Sequence, residues 1–380
     1  MEVIIVTRRD ILAMAGAAPA WLSPSSASSQ SRSHPRMGGT PSAFGMRMAA
    51  SGGRGGFGGR RGGEAPSVTP AAPSRAPAAA GPGFDIVEHC HKIGLYGVQT
   101  NPPVSDPEAI KKFRQRLESY EMTLVCDPRL PQDAAGVAAF ENQVRAFKEA
   151  GAVAFHAALT GRRYEDMASL EQFRTTFERH QKQVELAEPV LRKYRVPLGI
   201  ENHKGWRAAE QAAWIRRLGS EWVGVCLDFG NNLSLCETPE QTFELLAPIT
   251  VYAHIKDMGV QEYEDGFLLS EVRFGEGVID LKGWVDALRK RNPNMLFYLE
   301  TITRDPLKVP VYLDSYWRSF DDSYSPLPGR DLARTMRLVK TRPFKGELPR
   351  TTGLSVEQRA KLEDDMNQQC IEYARKNLNL

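Results

Sequence analysis

Four short stretches of the chain share one design: Leu198-Gly199-Ile200-Glu201-Asn202-His203, Val225-Cys226-Leu227-Asp228-Phe229-Gly230-Asn231, Val251-Tyr252-Ala253-His254-Ile255-Lys256-Asp257 and Phe297-Tyr298-Leu299-Glu300. Each apolar run stops on a carboxylate or an imidazole. Short apolar runs bounded by polar residues predict strands buried on both faces. Amphipathic segments at 208–218, 239–246 and 281–290 separate them and predict helices. A strand followed by a helix and then by another buried strand is the pattern of a parallel sheet, because parallel neighbours need a long crossover.

The same rhythm extends upstream. Strands are expected at 97–100, 123–126 and 153–157, and helices at 107–120, 134–150 and 170–194. Residues 42–48 (Ser-Ala-Phe-Gly-Met-Arg-Met) supply an eighth strand, which would place a low-complexity insert in the first strand-to-helix loop. Eight such units predict an α/β fold, a single (β/α)8 TIM barrel, with additional C-terminal helices near 331–340 and 356–377. No Gly-x-Gly-x-x-Gly follows a strand, which argues against a dinucleotide site. The expected organisation is a signal over 1–27, a first strand at 42–48, a disordered insert over 50–82, the barrel over 83–345 and a helical extension over 346–380.

The chain has 380 residues, 49 Lys plus Arg against 46 Asp plus Glu, a net charge of +3 and 42% hydrophobic residues. So balanced a charge speaks against nucleic acid as a partner, and no run of about 18 apolar residues exists to span a bilayer. Thr7-Arg8-Arg9-Asp10-Ile11-Leu12, followed by a weakly apolar stretch and small residues, is expected to be a twin-arginine export signal, with a periplasmic or extracellular destination. Residues 50–82 are nearly all Gly, Ala, Pro, Ser and Arg and cannot offset their ordering entropy by burial. Five cysteines without C-x-x-C spacing suggest neither a zinc knuckle nor a disulfide framework.

In a barrel the C-terminal strand ends converge on one face, so Glu201, Asp228, His254 and Glu300 are expected to meet there. Three crowded carboxylates raise one another's pKa, and a divalent cation is their natural counter-charge. Oxygen ligands with one nitrogen suit Mn2+ first, then Mg2+, Co2+ or Zn2+. His203 and Lys256 follow a proposed ligand by two residues and so return to the same side of the strand, where they are expected to meet substrate oxygens. His156 and Asn231 are expected to join them in binding substrate. An ion pair of Lys256 with Asp257 is the structural alternative. Gln99 and Asn101 are expected to be turn residues, and so is Glu276.

With these residues in view, Ile-Glu-Asn-His, Leu-Asp-Phe-Gly-Asn, Ala-His-Ile-Lys-Asp, Gly-Glu-Gly-Val-Ile-Asp and Tyr-Leu-Glu, in this order, resemble the xylose-isomerase-like TIM-barrel superfamily, in its sugar phosphate isomerase/epimerase branch. The resemblance implies one metal held by Glu201, Asp228, His254 and Glu300, with Glu201 and Glu300 also moving protons on opposite faces of a carbohydrate substrate. It implies a metal-dependent isomerase or epimerase working next to a carbonyl. A lyase acting on keto-glycosides and a non-catalytic sugar-binding barrel are the alternatives. The three-zinc apurinic endonucleases of the same superfamily have a His three residues after the Asp, where this chain has Asn231. Which sugar is used and whether the chain forms a homo-oligomer are left open by the sequence.

Overall fold

The computed structural model describes residues 36–51, 83–320 and 329–380. The signal expected over 1–27 and the insert from residue 52 onward lie outside them. Eleven strands occur among the described residues: β1 (Gly38–Gly39), β2 (Gly97–Gln99), β3 (Thr123–Cys126), β4 (Ala152–Ala157), β5 (Leu198–Glu201), β6 (Val223–Asp228), β7 (Thr250–Ile255), β8 (Asp257–Tyr263), β9 (Gly266–Val272), β10 (Phe297–Leu299) and β11 (Leu307–Val309). Eight of them close a barrel in the order β1-β10-β7-β6-β5-β4-β3-β2, and β11, β9 and β8 form a small antiparallel sheet beside it. Every pairing in the barrel is parallel. The helices expected from the sequence are present, among them Leu170–Tyr194, Ala208–Leu218, Pro239–Leu246 and Leu281–Arg291.

The first strand corrects the expectation. Residues 42–48 are helical, as a 3-10 turn at Pro41–Phe44 leading into the helix Gly45–Ala50, and the strand is the glycine pair just before them. Packing explains why. A Cβ on Gly38 would stand 2.6 Å from Cε1 of Tyr298, the residue it pairs with on β10, so only glycine lets the barrel close there. Pro41, with its fixed φ, suits a helical first turn, and Ala43 and Phe44 bury completely from that turn.

The C-terminal segment is bound into this first unit. Glu363, on the helix Val356–Tyr373, accepts hydrogen bonds at 2.8 Å from the backbone N–H groups of both Met46 and Arg47. Burial pushes its pKa up to about 7. A carboxyl group with a folded pKa above its unfolded one contributes stability in its protonated form, complete below the unfolded value near 4.5 and lost as the pH rises through 7. Wild-type stability should therefore fall between pH 5 and 7.5 more steeply than that of Glu363→Gln, by on the order of 2 kcal/mol. Urea midpoints of both proteins at the two pH values check this; parallel pH profiles would disprove it.

Inside the barrel, Tyr252 of β7 and Tyr298 of β10 cross at 5.9 Å and 79°. With Val125, Ala154 and Cys226 they form a packed layer separate from the main core. Gly199 makes room for it, since a Cβ there would lie 2.9 Å from Tyr252 Cε1. Such a layer fills the barrel's interior, and the strand ends stand above it.

Beyond β7 the chain makes an excursion that periodicity did not indicate. The hairpin β8–β9 follows directly, and β11 adds to its edge. Asp257 holds the return: its carboxylate accepts from the backbone N–H groups of Met258, Gly275 and Gly277 at 2.9 Å and of Ile279 at 3.1 Å. The Gly-Glu-Gly-Val-Ile-Asp segment is thus fastened to the strand end by one buried side chain. Glu276 itself is exposed and lies 3.6 Å from Arg273, as a turn residue would.

Candidate metal centre and active site

Glu201 ends β5, Asp228 ends β6, His254 lies near the end of β7 and Glu300 directly follows β10. Parallel strands in adjacent register carry these side chains to one level: Asp228 pairs with His254, and His254 with Tyr298. One ligand-capable atom from each of the four lies within 4.8 Å of the others, and all four residues are buried. The expected quartet is therefore assembled by the fold.

Two of its atoms have no hydrogen-bond partner. Asp228 Oδ1 and His254 Nδ1 are both buried and unsatisfied, although Nδ1 lies 3.3 Å from Glu300 Oε2. Buried polar atoms normally have partners, so this pair has the character of cation ligands. The histidine tautomer agrees. Gln99 Nε2 donates to Asp127 Oδ1 at 2.9 Å, so the Gln99 Oε1 that lies 2.8 Å from His254 Nε2 is the acceptor of that contact. Nε2 then carries the proton, and Nδ1 presents a lone pair toward the quartet.

The remaining expected residues surround this centre. His156 reaches Glu201 Oε2 with Nε2 at 3.0 Å and Asp127 Oδ1 with Nδ1 at 2.6 Å. Burial works against its charge, but the two carboxylates outweigh burial and raise its pKa to about 10. Burial and Glu300 likewise oppose ionisation of Glu201, and His156 helps to hold it below the usual carboxylate range. Asn231 donates to Glu201 Oε1 at 3.1 Å and also to Asp228 Oδ2. Lys256 donates to Asp228 Oδ2 at 2.7 Å and to Glu300 Oε2 at 3.2 Å, not to Asp257.

Between the two acids that flank Lys256, the protons divide unequally. Burial pushes Asp228 well above its ordinary value, and despite Lys256 the carboxylates of Glu300 and Glu201 add to that. Glu300 is held well below its ordinary value against burial, by Lys256 and His254. His203 is half-buried, and burial lowers its pKa to about 4, leaving a neutral ring beside Glu201. Asn231 and Lys256 were expected to meet substrate; both are engaged with the quartet's own carboxylates.

Several residues of the site went unmarked in the sequence. Asp127 follows β3 as the other acids follow their strands, so its signal was present. Gln99 had the appearance of a turn residue, yet it is 4% exposed and orients His254, while Asn101 does brace the turn through the backbone of Asp127. Asn202 grips Asp228 from behind, accepting from its N–H at 2.6 Å and donating to its C=O at 2.9 Å. Lys204, buried, donates to Asn231 Oδ1 at 2.5 Å. No local pattern distinguishes these last two from loop residues.

A closed parallel barrel whose strand ends gather three acids and a histidine over a packed floor defines a TIM-barrel enzyme with a candidate site for one divalent cation. Residues 78–317 match the family model of the xylose isomerase-like TIM barrel. The chain belongs to that family. A curated relative, 3-oxo-isoapionate decarboxylase of Pectobacterium atrosepticum, is 29% identical over 109 residues, which is 28% of this chain and 40% of the relative, so this chain matches well under half of that protein. Among solved structures, D-psicose 3-epimerase in the presence of D-fructose is similar with a TM-score of 0.49 at 14% identity, covering 77% of this chain and 93% of that one. The apo form of 3-keto-D-glucoside 4-epimerase from E. coli has a TM-score of 0.44 at 13% identity, covering 60% and 90%. Likeness at this level concerns the fold alone. Among the described residues no helix is long and apolar enough to cross a membrane.

Proposed function

We propose that this enzyme is a metal-dependent isomerase or epimerase that moves a proton at the carbon next to the carbonyl of a keto-sugar or polyol derivative. The observation that carries this reading is the meeting of Glu201 and Glu300, two buried and ionised carboxylates from strands on either side of Asp228 and His254. A carboxylate in water is far too weak a base for such a C–H bond. A divalent cation held by Glu201, Asp228, His254 and Glu300, manganese being the first choice for this donor set, would supply the electrophile that stabilises charge on the substrate oxygens.

The chain's own residues do the rest. Glu201 is fixed at both oxygens, by His156 and Asn231, and Glu300 at Oε2 by Lys256, so each carboxylate is aimed before substrate arrives. One glutamate takes the proton. Return of a proton by the other, on the opposite face, gives an epimer, and return to the neighbouring carbon gives an isomer. Burial of the quartet keeps water from competing.

The partial likeness to a decarboxylase favours a second reading, in which a 3-oxo acid loses CO2, the electron pair stays beside the carbonyl and a proton drawn from water by way of one glutamate takes the vacated position. One experiment separates the two. Metal-loaded protein is incubated with keto-sugars and 3-oxo sugar acids in deuterated water while proton NMR follows C–H exchange and a CO2 assay runs alongside. Exchange without CO2 supports the isomerase or epimerase, CO2 release supports the decarboxylase, and neither event with any substrate would refute both. Export by the twin-arginine route belongs to the proposal, motivated by Thr7-Arg8-Arg9-Asp10-Ile11-Leu12. Recovery of only the unprocessed chain, in the cytoplasmic fraction, would count against it.

A further inference from the structure

Three cations gather beside the quartet, and they are not equally matched. Lys256 is held between Asp228 and Glu300, and Arg304 closes on Glu271 through Nη2 at 2.6 Å and Nε at 3.2 Å. Lys204 differs from both. It is 2% exposed, its ammonium donates to the carboxamide oxygen of Asn231, and no carboxylate among the described residues lies within ion-pair distance of it. Burial and the like charges of Lys256 and Arg304 outweigh the attraction of Glu271 and Asp228 from beyond ion-pair distance and push its pKa down to about 7, so its charge is costly where it stands. Buried charges are ordinarily paired, and one carboxamide oxygen answers only one of three N–H donors.

Buried polar atoms on adjoining segments also lack partners. His203 Nδ1, Thr160 Oγ1 and Tyr164 Oη are buried without hydrogen bonds. His203 precedes Lys204 in the chain, Thr160 packs against Gly205 just after it, and Tyr164 lies within the electrostatic reach of Arg304. A buried ammonium without an ion-pair partner, one carboxamide away from Glu201 and Asp228, is an arrangement suited to an oxygen-rich anion.

We infer that Lys204 anchors a carboxylate of the substrate, so that this enzyme acts on a keto-sugar acid in preference to a neutral ketose. This rests on the reading of the quartet as the place of proton transfer. A carboxylate fits better than a phosphate because a dianion calls for a second free cation, and the Arg304 fork is already filled by Glu271. An anchored carboxylate keeps its charge and stays on the sugar, since the ammonium stabilises the ionised form that decarboxylation would have to give up.

Calorimetric titration of the metal-loaded full chain with D-gluconate, D-glucitol and D-glucitol 6-phosphate tests this without turnover. Gluconate should bind at least about tenfold more tightly than glucitol, and Lys204→Met should bring that ratio close to one. Lys204→Arg should retain part of the preference. Equal binding of gluconate and glucitol by the wild type would overturn the inference, even if Lys204→Met failed to fold. So would tighter binding of glucitol 6-phosphate than of gluconate. A preference that survives in Lys204→Met would also overturn it, because the carboxylate would then be going to the metal. The two readings fail separately: no deuterium uptake from any keto-sugar or keto-sugar acid sinks proton transfer and leaves the binding ratio standing, whereas equal binding with normal uptake does the reverse.

Discussion

Asp228→Asn is expected to leave the barrel folded and to lower its affinity for a divalent cation by at least about 100-fold, which is about 2.7 kcal/mol. The loss follows from the residue's place: Oδ1 is a buried oxygen with no hydrogen-bond partner, so binding of a cation is its one evident use. Even outer partners of metal ligands cost about 10- to 100-fold when removed, and a direct ligand should cost more. Retention of the fold follows from the same geometry. Without a cation, burial already drives Asp228 toward its neutral acid, which asparagine imitates in shape and charge, and Asn202 holds its backbone in either case. Calorimetric metal titration and a thermal melt of the variant measure both effects. Wild-type metal affinity in a protein lacking both Asp228 and His254 side chains would remove the quartet from consideration.

Glu300→Gln should lose turnover by about 10²- to 10⁴-fold while its KM changes little, since a proton carrier acts only on the way through the transition state. Glu201→Gln should behave likewise. The two variants need not fail in the same way. An epimerase uses both bases, so a variant with one remaining carboxylate should still exchange the substrate's C–H proton with solvent from one face while forming no epimer. The carboxamide of Glu300→Gln would keep an acceptor oxygen for Lys256, and that of Glu201→Gln one for His156, so the neighbouring side chains stay in place. Comparing deuterium uptake with product formation on one accepted substrate separates the roles. Undiminished product from either variant would exclude that glutamate as a proton carrier.

The repeat of buried strand and amphipathic helix determined the barrel, because both periods report local geometry and burial, which neighbours in the chain set by themselves. The same reading placed Glu201, Asp228, His254 and Glu300 at strand ends, and parallel strands must bring such ends to one face. What surrounds them was decided elsewhere. The first strand is two glycines, the residues least inclined to form one, and it exists because Tyr298 of the neighbouring strand fills the space a side chain would take. His254 is oriented by Gln99, 155 residues away, and Lys256 turned from its neighbour Asp257 to Glu300, 44 residues away. Asp257 was free to fasten the loop over 275–279 instead. Lys204 resembles any loop lysine until closure of the barrel buries it beside a carboxamide, with no carboxylate among the described residues within ion-pair distance. Sequence determined which residues stand at the rim, because that depends on period alone. Only the tertiary structure decided which of them meet, because barrel closure sets those distances and burial then makes each unmatched polar atom costly enough to matter.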